Sequence, residues 1–181
     1  MDCQAIIDKY YPEEDDCGQQ SCDLRRLLIK HSRQVADRCL LICDRHPELA
    51  IDCTLVEQAA MLHDIGIRWC HAPSIFCYGT EPYIKHGPIG ADLLRREGTT
   101  ADGSVAMEYE LLARVAERHT GTGLPGFEPQ TLLEQVVCYA DKFYSKSRPD
   151  RVLTVVEAAQ SLEKFGHEGV VKFLEWARRF E

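Results

Sequence analysis

Apolar residues recur along this chain at the spacing of one helix face, and no stretch alternates as a half-buried strand would, so the expected fold is all-α. A long helix is predicted from an N-cap at Asp23 to about Arg45, with Leu24, Leu28, His31, Val35, Cys39 and Ile42 on one stripe. The next starts at Asp52 or Thr54 and turns Leu55, Ala59, Leu62, His63 and Gly66 inward. Leu112, Val115, Ala116 and His119 share a face in a helix from about Met107 to His119 that Gly121 stops. Thr131 opens another, with Leu133, Val137, Ala140, Asp141 and Tyr144 inward, ending before Pro149. Short helices are expected from Ala5 to Tyr11 and from Pro88 to Gly98, leaving His86 just outside the start of the second. The region from Arg151 to Phe180 reads as helical with a break around Gly166 and Gly169.

The polar members of these stripes are the informative ones. His31, His63, His119 and Asp141 point inward from four different predicted helices, and Asp64 adjoins His63. A single inward histidine is usually a hydrogen-bonded core residue, but a buried carboxylate needs a partner, and no Lys or Arg shares the Asp141 stripe. Two of these imidazoles with the two carboxylates make a mixed N/O set suited to a divalent cation such as iron, manganese, zinc or nickel, with magnesium a further candidate. The cation would keep the carboxylates ionised and the imidazoles neutral.

Bulk properties limit the rest. The 181 residues suit one compact domain, and the net charge of −8 opposes a polyanion, so no nucleic acid polymer is expected as a partner. No apolar run reaches the length of a membrane span and the first residues show no secretory pattern, so no membrane partner and a cytoplasmic location are expected. Nine cysteines, an odd number with no tight Cys-x-x-Cys pair, read as reduced thiols; zinc at Cys39 and Cys43, or at Cys70 and Cys77, is the weaker alternative.

In order along the chain, His31, His63-Asp64 within HDIG, and Asp141 within YADKF resemble the HD-domain superfamily of metal-dependent phosphohydrolases, HDIG type. The resemblance implies a bundle of about five core helices and metal ligation by His31, His63, Asp64 and Asp141. It also implies that His86 in KHG and His119 in ERHTG are the added ligands of a two-metal branch in which Asp64 would bridge both ions, so one or two ions are expected. The expected divisions are residues 1–22 as an N-terminal helix and acidic turn, 23–148 as the HD domain, and 149–181 as a helical extension on the same domain.

The chemistry expected on this basis is hydrolysis of a phosphomonoester or phosphodiester in a small, nucleotide-like substrate by a metal-bound hydroxide. Asp64, Lys142 and Lys146 are the expected catalytic residues, Lys146 lying one helical turn beyond Asp141. Arg68, Tyr83, Lys85 and Arg148 are the expected substrate contacts; Trp69 and Phe76, in the same aromatic loop, read as packing residues. An HD-fold di-iron oxygenase and a non-catalytic nucleotide-binding signalling domain are the alternatives. The amphipathic tail through Val152, Val155, Val156, Ala159 and Leu162 is expected on its own bundle, with a homodimer as the other arrangement.

Overall fold

A computed structural model describes residues 1–13, 19–121 and 126–181. Among them are eight α-helices: α1 (Cys3–Tyr10), α2 (Gln19–Arg45), α3 (Cys53–Leu62), α4 (His86–Glu97), α5 (Met107–Arg118), α6 (Leu132–Asp141), α7 (Val155–Leu162) and α8 (His167–Phe180). The all-α expectation holds, with two small antiparallel hairpins added: β1 (His71–Ala72) with β2 (Cys77–Tyr78), and β3 (Tyr144–Ser145) with β4 (Arg148–Val152). The acidic turn expected after residue 12 and the loop after Gly121 fall partly outside the described residues.

Local chemistry sets several helix starts. Asp52 accepts a hydrogen bond from Leu55 N at 3.0 Å, and Thr131 with Glu134 and Thr154 with Glu157 form capping boxes at α6 and α7. Asp23 is not the cap of α2, which already runs from Gln19. His86 begins α4 rather than preceding it. The C-terminal break falls at Gly166, whose φ of 112° few other residues adopt, whereas Gly169 continues α8.

α2 runs through the centre, burying Leu28, His31, Val35, Ala36 and Cys39, and packs on α3 and α6; α4 packs along α5. α8 closes the bundle on itself: Phe173 and Phe180 lie 5.0 Å and 5.4 Å, ring centre to centre, from Tyr139 of α6. α8 thus packs on α6, while Val152 and Val156 stay exposed. Phe76 is also more exposed than expected, at 37%, at the tip of the first hairpin. The cysteines among the described residues are free thiols, and no cysteine joins a group of three converging ligand atoms there.

One glycine is sterically required at the heart of the fold. A Cβ on Gly66 would lie 2.1 Å from His86 O and 2.5 Å from Gly90 N, both backbone atoms. Only glycine lets the turn after α3 press against the first turn of α4, and that contact brings His63, Asp64 and His86 together.

Candidate metal centre

Six side chains converge from five elements. His31 projects from the middle of α2, His63 caps the C-terminal end of α3 with Asp64 next in the turn, His86 opens α4, His119 caps α5, and Asp141 ends α6. All four histidines and Asp64 are buried, and the Asp141 side chain is 14% exposed.

Three of the histidines are oriented by one device. His63 Nδ1 lies 2.6 Å from Ala60 O, His86 Nδ1 2.5 Å from Tyr83 O, and His119 Nδ1 2.7 Å from Ala116 O, in each case the carbonyl three residues earlier. A carbonyl only accepts, so each Nδ1 carries a proton and donates it, and each Nε2 is left to face the centre. The ring of Tyr83 also stacks on that of His86, centres 4.5 Å apart.

Asp64 divides its oxygens between two histidine pairs. Oδ2 stands 3.2 Å from His31 Nε2 and 3.1 Å from His63 Nε2, and Oδ1 stands 3.3 Å from His86 Nε2 and 3.4 Å from His119 Nε2. Asp141 Oδ1 faces the first pair, 3.0 Å from His31 Nε2 and 3.6 Å from His63 Nε2.

These atoms pass a chemical test of fit for a cation. Burial, with His119 alongside, holds the His86 imidazole down at about 3, and burial lowers His119 too, so both are neutral at pH 7. Their Nε2 lone pairs therefore face each other at 3.0 Å, which is repulsive unless a positive charge lies against both. His31 Nε2, His63 Nε2 and both Asp64 oxygens are buried and make no hydrogen bond of good geometry. His31, His63 and Asp141 form one group able to hold a metal ion, and His63, Asp64 and His119 a second. Divalent cations are what such a set of imidazoles and carboxylates binds.

Protein cations supply part of the compensating charge. Burial pushes the His63 imidazolium down, but the Asp64 and Asp141 carboxylates outweigh it and raise His63 to about 9. Asp64 and Asp141 are held well below the usual carboxylate range: burial opposes ionisation, and His63 and Lys146 at Asp64, with Lys142 at Asp141, overcome it. Lys146 Nζ is 2.6 Å from Asp64 Oδ2.

The placement of Lys146 corrects the sequence reading. α6 stops at Asp141, and Lys146 reaches the centre from the turn between β3 and β4, not from one helical turn further on. Lys142 donates to Asp141 Oδ2 at 3.1 Å and to His119 O at 2.9 Å, which ties the ends of α5 and α6 together. Lys146, Tyr83 and Arg148 line a cleft of about 760 Å³ that also reaches His86, His119 and Asp141. Arg68 and Lys85 do not line it: Arg68 donates to Tyr10 O at 2.9 Å, and Lys85 pairs with Glu81 at 2.9 Å on the surface. The far wall, from Ser161 in α7 and Lys164 and Phe165 just after it, had no signal in the spacing of residues.

A family model described as HD domain matches residues 28–145, which contain all six convergent residues. The chain is 26% identical over 176 residues to a tRNA (cytidine(56)-2'-O)-methyltransferase of Picrophilus torridus, covering 90% of this chain and 43% of that protein. It is 29% identical over 133 residues to a protein of the same name from Thermoplasma volcanium, covering 72% of this chain and 35% of the relative. The chain thus spans less than half the length of these curated relatives. No solved structure matches it.

Two expectations give way to these findings. Both relatives are named for methyl transfer to tRNA, so the phosphohydrolase reading and the alternatives set beside it are withdrawn. The exclusion of a nucleic acid polymer is withdrawn with them, together with the small phosphorylated substrate. It rested on net charge, an average over the whole surface that does not register cations gathered in one cleft. What the match to the family model and the convergent ligand set establish together is narrower and firm: the chain belongs to the HD-domain family, with side chains placed to hold a divalent metal.

Proposed function

We propose that this chain is a metal-binding unit acting in the 2'-O-methylation of tRNA, and that tRNA is the partner its cleft receives. The observation that carries this reading is the likeness to two proteins named for that reaction, one of them aligned over 90% of the chain. The cleft adds physical support. Arg148 and Lys164 are exposed on its walls and pair with no carboxylate among the described residues, while Ser145, Ser147 and Ser161 offer hydroxyls beside them. Phe165, 55% exposed at the same mouth with Lys164 Nζ over its ring 4.8 Å from the centre, offers an aromatic surface to a base. Cations, hydroxyls and an open aromatic suit a phosphate–ribose–base unit of RNA.

In this reading His31, His63, Asp64 and Asp141 would hold one ion, and His86 and His119 with Asp64 would hold any second, of iron, manganese, zinc or nickel type. Bound there, such an ion supplies a positive charge against which an RNA oxygen becomes more acidic. The chain's own residues do the remaining work: Lys146, Arg148 and Lys164 bind phosphate, and Tyr83 keeps His86 in orientation. Action on tRNA would fit a cytoplasmic location.

Manganese-loaded protein should retain labelled tRNA on a filter. Three cations each displacing a counterion give a log–log salt slope of about −2 on single-stranded RNA. Adding the protein to tRNA and S-adenosylmethionine in a methylation reaction should raise the yield of 2'-O-methylcytidine. Neither tRNA retention nor any change in methylation, with metal present, refutes the reading.

A further inference from the structure

The N-terminal segment lies before the stretch matched by the family model, yet it grips the turn that carries Asp64. Tyr11 is 1% exposed. Its hydroxyl donates to Ile65 O at 2.8 Å and accepts from Arg68 N at 3.1 Å. Ile65 and Arg68 are the first and fourth residues of a turn, where the ordinary bond would run directly from the fourth N–H to the first carbonyl. The phenol stands between them and holds the turn open. Ile65 follows Asp64 directly, and Asp64 O accepts from Ile67 N at 3.0 Å inside the same turn.

The segment is itself anchored to two other ligand-bearing helices. Arg25 of α2, two turns before His31, donates to Tyr11 O and to Asp8 Oδ1, the latter at 2.7 Å. Tyr10 Oη and Lys9 Nζ both donate to Glu97 Oε1, at 2.5 Å and 2.7 Å, at the far end of the helix that His86 opens. Arg68 returns a bond to Tyr10 O. From these contacts we infer that Tyr11 is a positioning residue for the metal centre: its hydroxyl wedges open the 65–68 turn and thereby fixes where Asp64 sits between the two histidine pairs. The inference rests on the reading of His31, His63, Asp64, His86, His119 and Asp141 as ligands.

Tyr11→Phe keeps the ring and removes the wedge. The turn is then free to close its own hydrogen bond and carry Asp64 with it. Outer groups that orient ligands change metal affinity about 10- to 100-fold when removed. The test is titration of the stripped full chain with Co(II), followed by calorimetry and by the visible absorption bands, which report ligand geometry. Tyr11→Phe should bind Co(II) at least tenfold more weakly and shift the bands. Ile7→Val, a buried change in the helix that precedes Tyr11, leaves the phenol in place and should lower the thermal midpoint by a few degrees with affinity and spectrum unaltered.

Affinity within twofold of wild type and unshifted bands in Tyr11→Phe would overturn the inference, as would an equal loss in Ile7→Val. Should Tyr11→Phe fail to fold, Glu97→Gln releases the strap from its outer end. It should move the affinity in the same direction, and an unchanged value there counts against the wedge. If wild-type protein takes up no Co(II), the ligand reading itself falls; if it binds normally and Tyr11→Phe does too, only the role of Tyr11 falls.

Discussion

Replacing Lys146 with methionine keeps most of the side chain's bulk and removes its charge. In the structure Nζ lies 2.6 Å from Asp64 Oδ2, with the lysine side chain 12% exposed and the aspartate fully buried. At an effective dielectric of about 20, that separation corresponds to roughly 6 kcal/mol of gross attraction, part of which offsets the cost of desolvating both groups. Removing one partner of such a pair costs about 3–5 kcal/mol, because the other charge stays buried. Protein stripped of metal should therefore lose about 3 kcal/mol or more in urea unfolding. Metal-loaded protein should lose little, because the cation still faces Asp64.

Folding and metal binding form a closed cycle, so the difference between those two losses must reappear as affinity. About 3 kcal/mol is roughly two orders of magnitude, and Lys146→Met should bind Mn(II) that much more tightly. The physical statement is that ammonium and metal compete for one carboxylate oxygen. Urea titrations with and without chelator, paired with calorimetry, measure both halves. An unchanged midpoint in the stripped protein, or weaker metal binding in the variant, refutes the competition.

Two further outcomes follow from the site. Gly66→Ala forces a Cβ to within 2.1 Å of His86 O, and neither backbone can yield; a cost above the usual ~1–3 kcal/mol of overpacking and loss of Co(II) binding are expected, read by circular dichroism and calorimetry. The stripped protein should be most stable near pH 6.5. His86, held at about 3, cannot take up the proton that the unfolded chain binds, so its contribution is full above about 6.5 and is lost as pH falls toward 3. His63, raised to about 9, contributes fully below about 6.5 and loses that contribution as pH rises through 9. Metal replaces the His63 proton and should flatten the alkaline side. A stripped protein whose thermal midpoint peaks above pH 9 contradicts this assignment.

The inward placement of these imidazoles and carboxylates was largely legible in the sequence because helical periodicity is a local rule. His31, His63, His119 and Asp141 fall on inward stripes whatever the helices pack against, and a buried carboxylate demands a counter-charge wherever it sits. Reaction class was not legible. A ligand set states what cation it can hold, not what that cation acts on, and the likeness to tRNA-named relatives overturned the hydrolase reading. Net charge misled for a related reason, since the sum of −8 carries no information on where Lys146, Arg148 and Lys164 gather.

Taken alone, the sequence determined that the chain is helical, which faces turn inward, and that those faces carry imidazoles and carboxylates, since spacing along one helix decides each. Only the tertiary structure decided which oxygen of Asp64 meets which histidine pair, that Lys146 arrives on a hairpin, and that Tyr11 inserts its hydroxyl into the turn beyond Asp64. These depend on contacts between residues as many as 82 positions apart, such as Lys146 and Asp64, and on a backbone approach that Gly66 alone permits. No local pattern encodes distances of that kind; they are set when the helices pack.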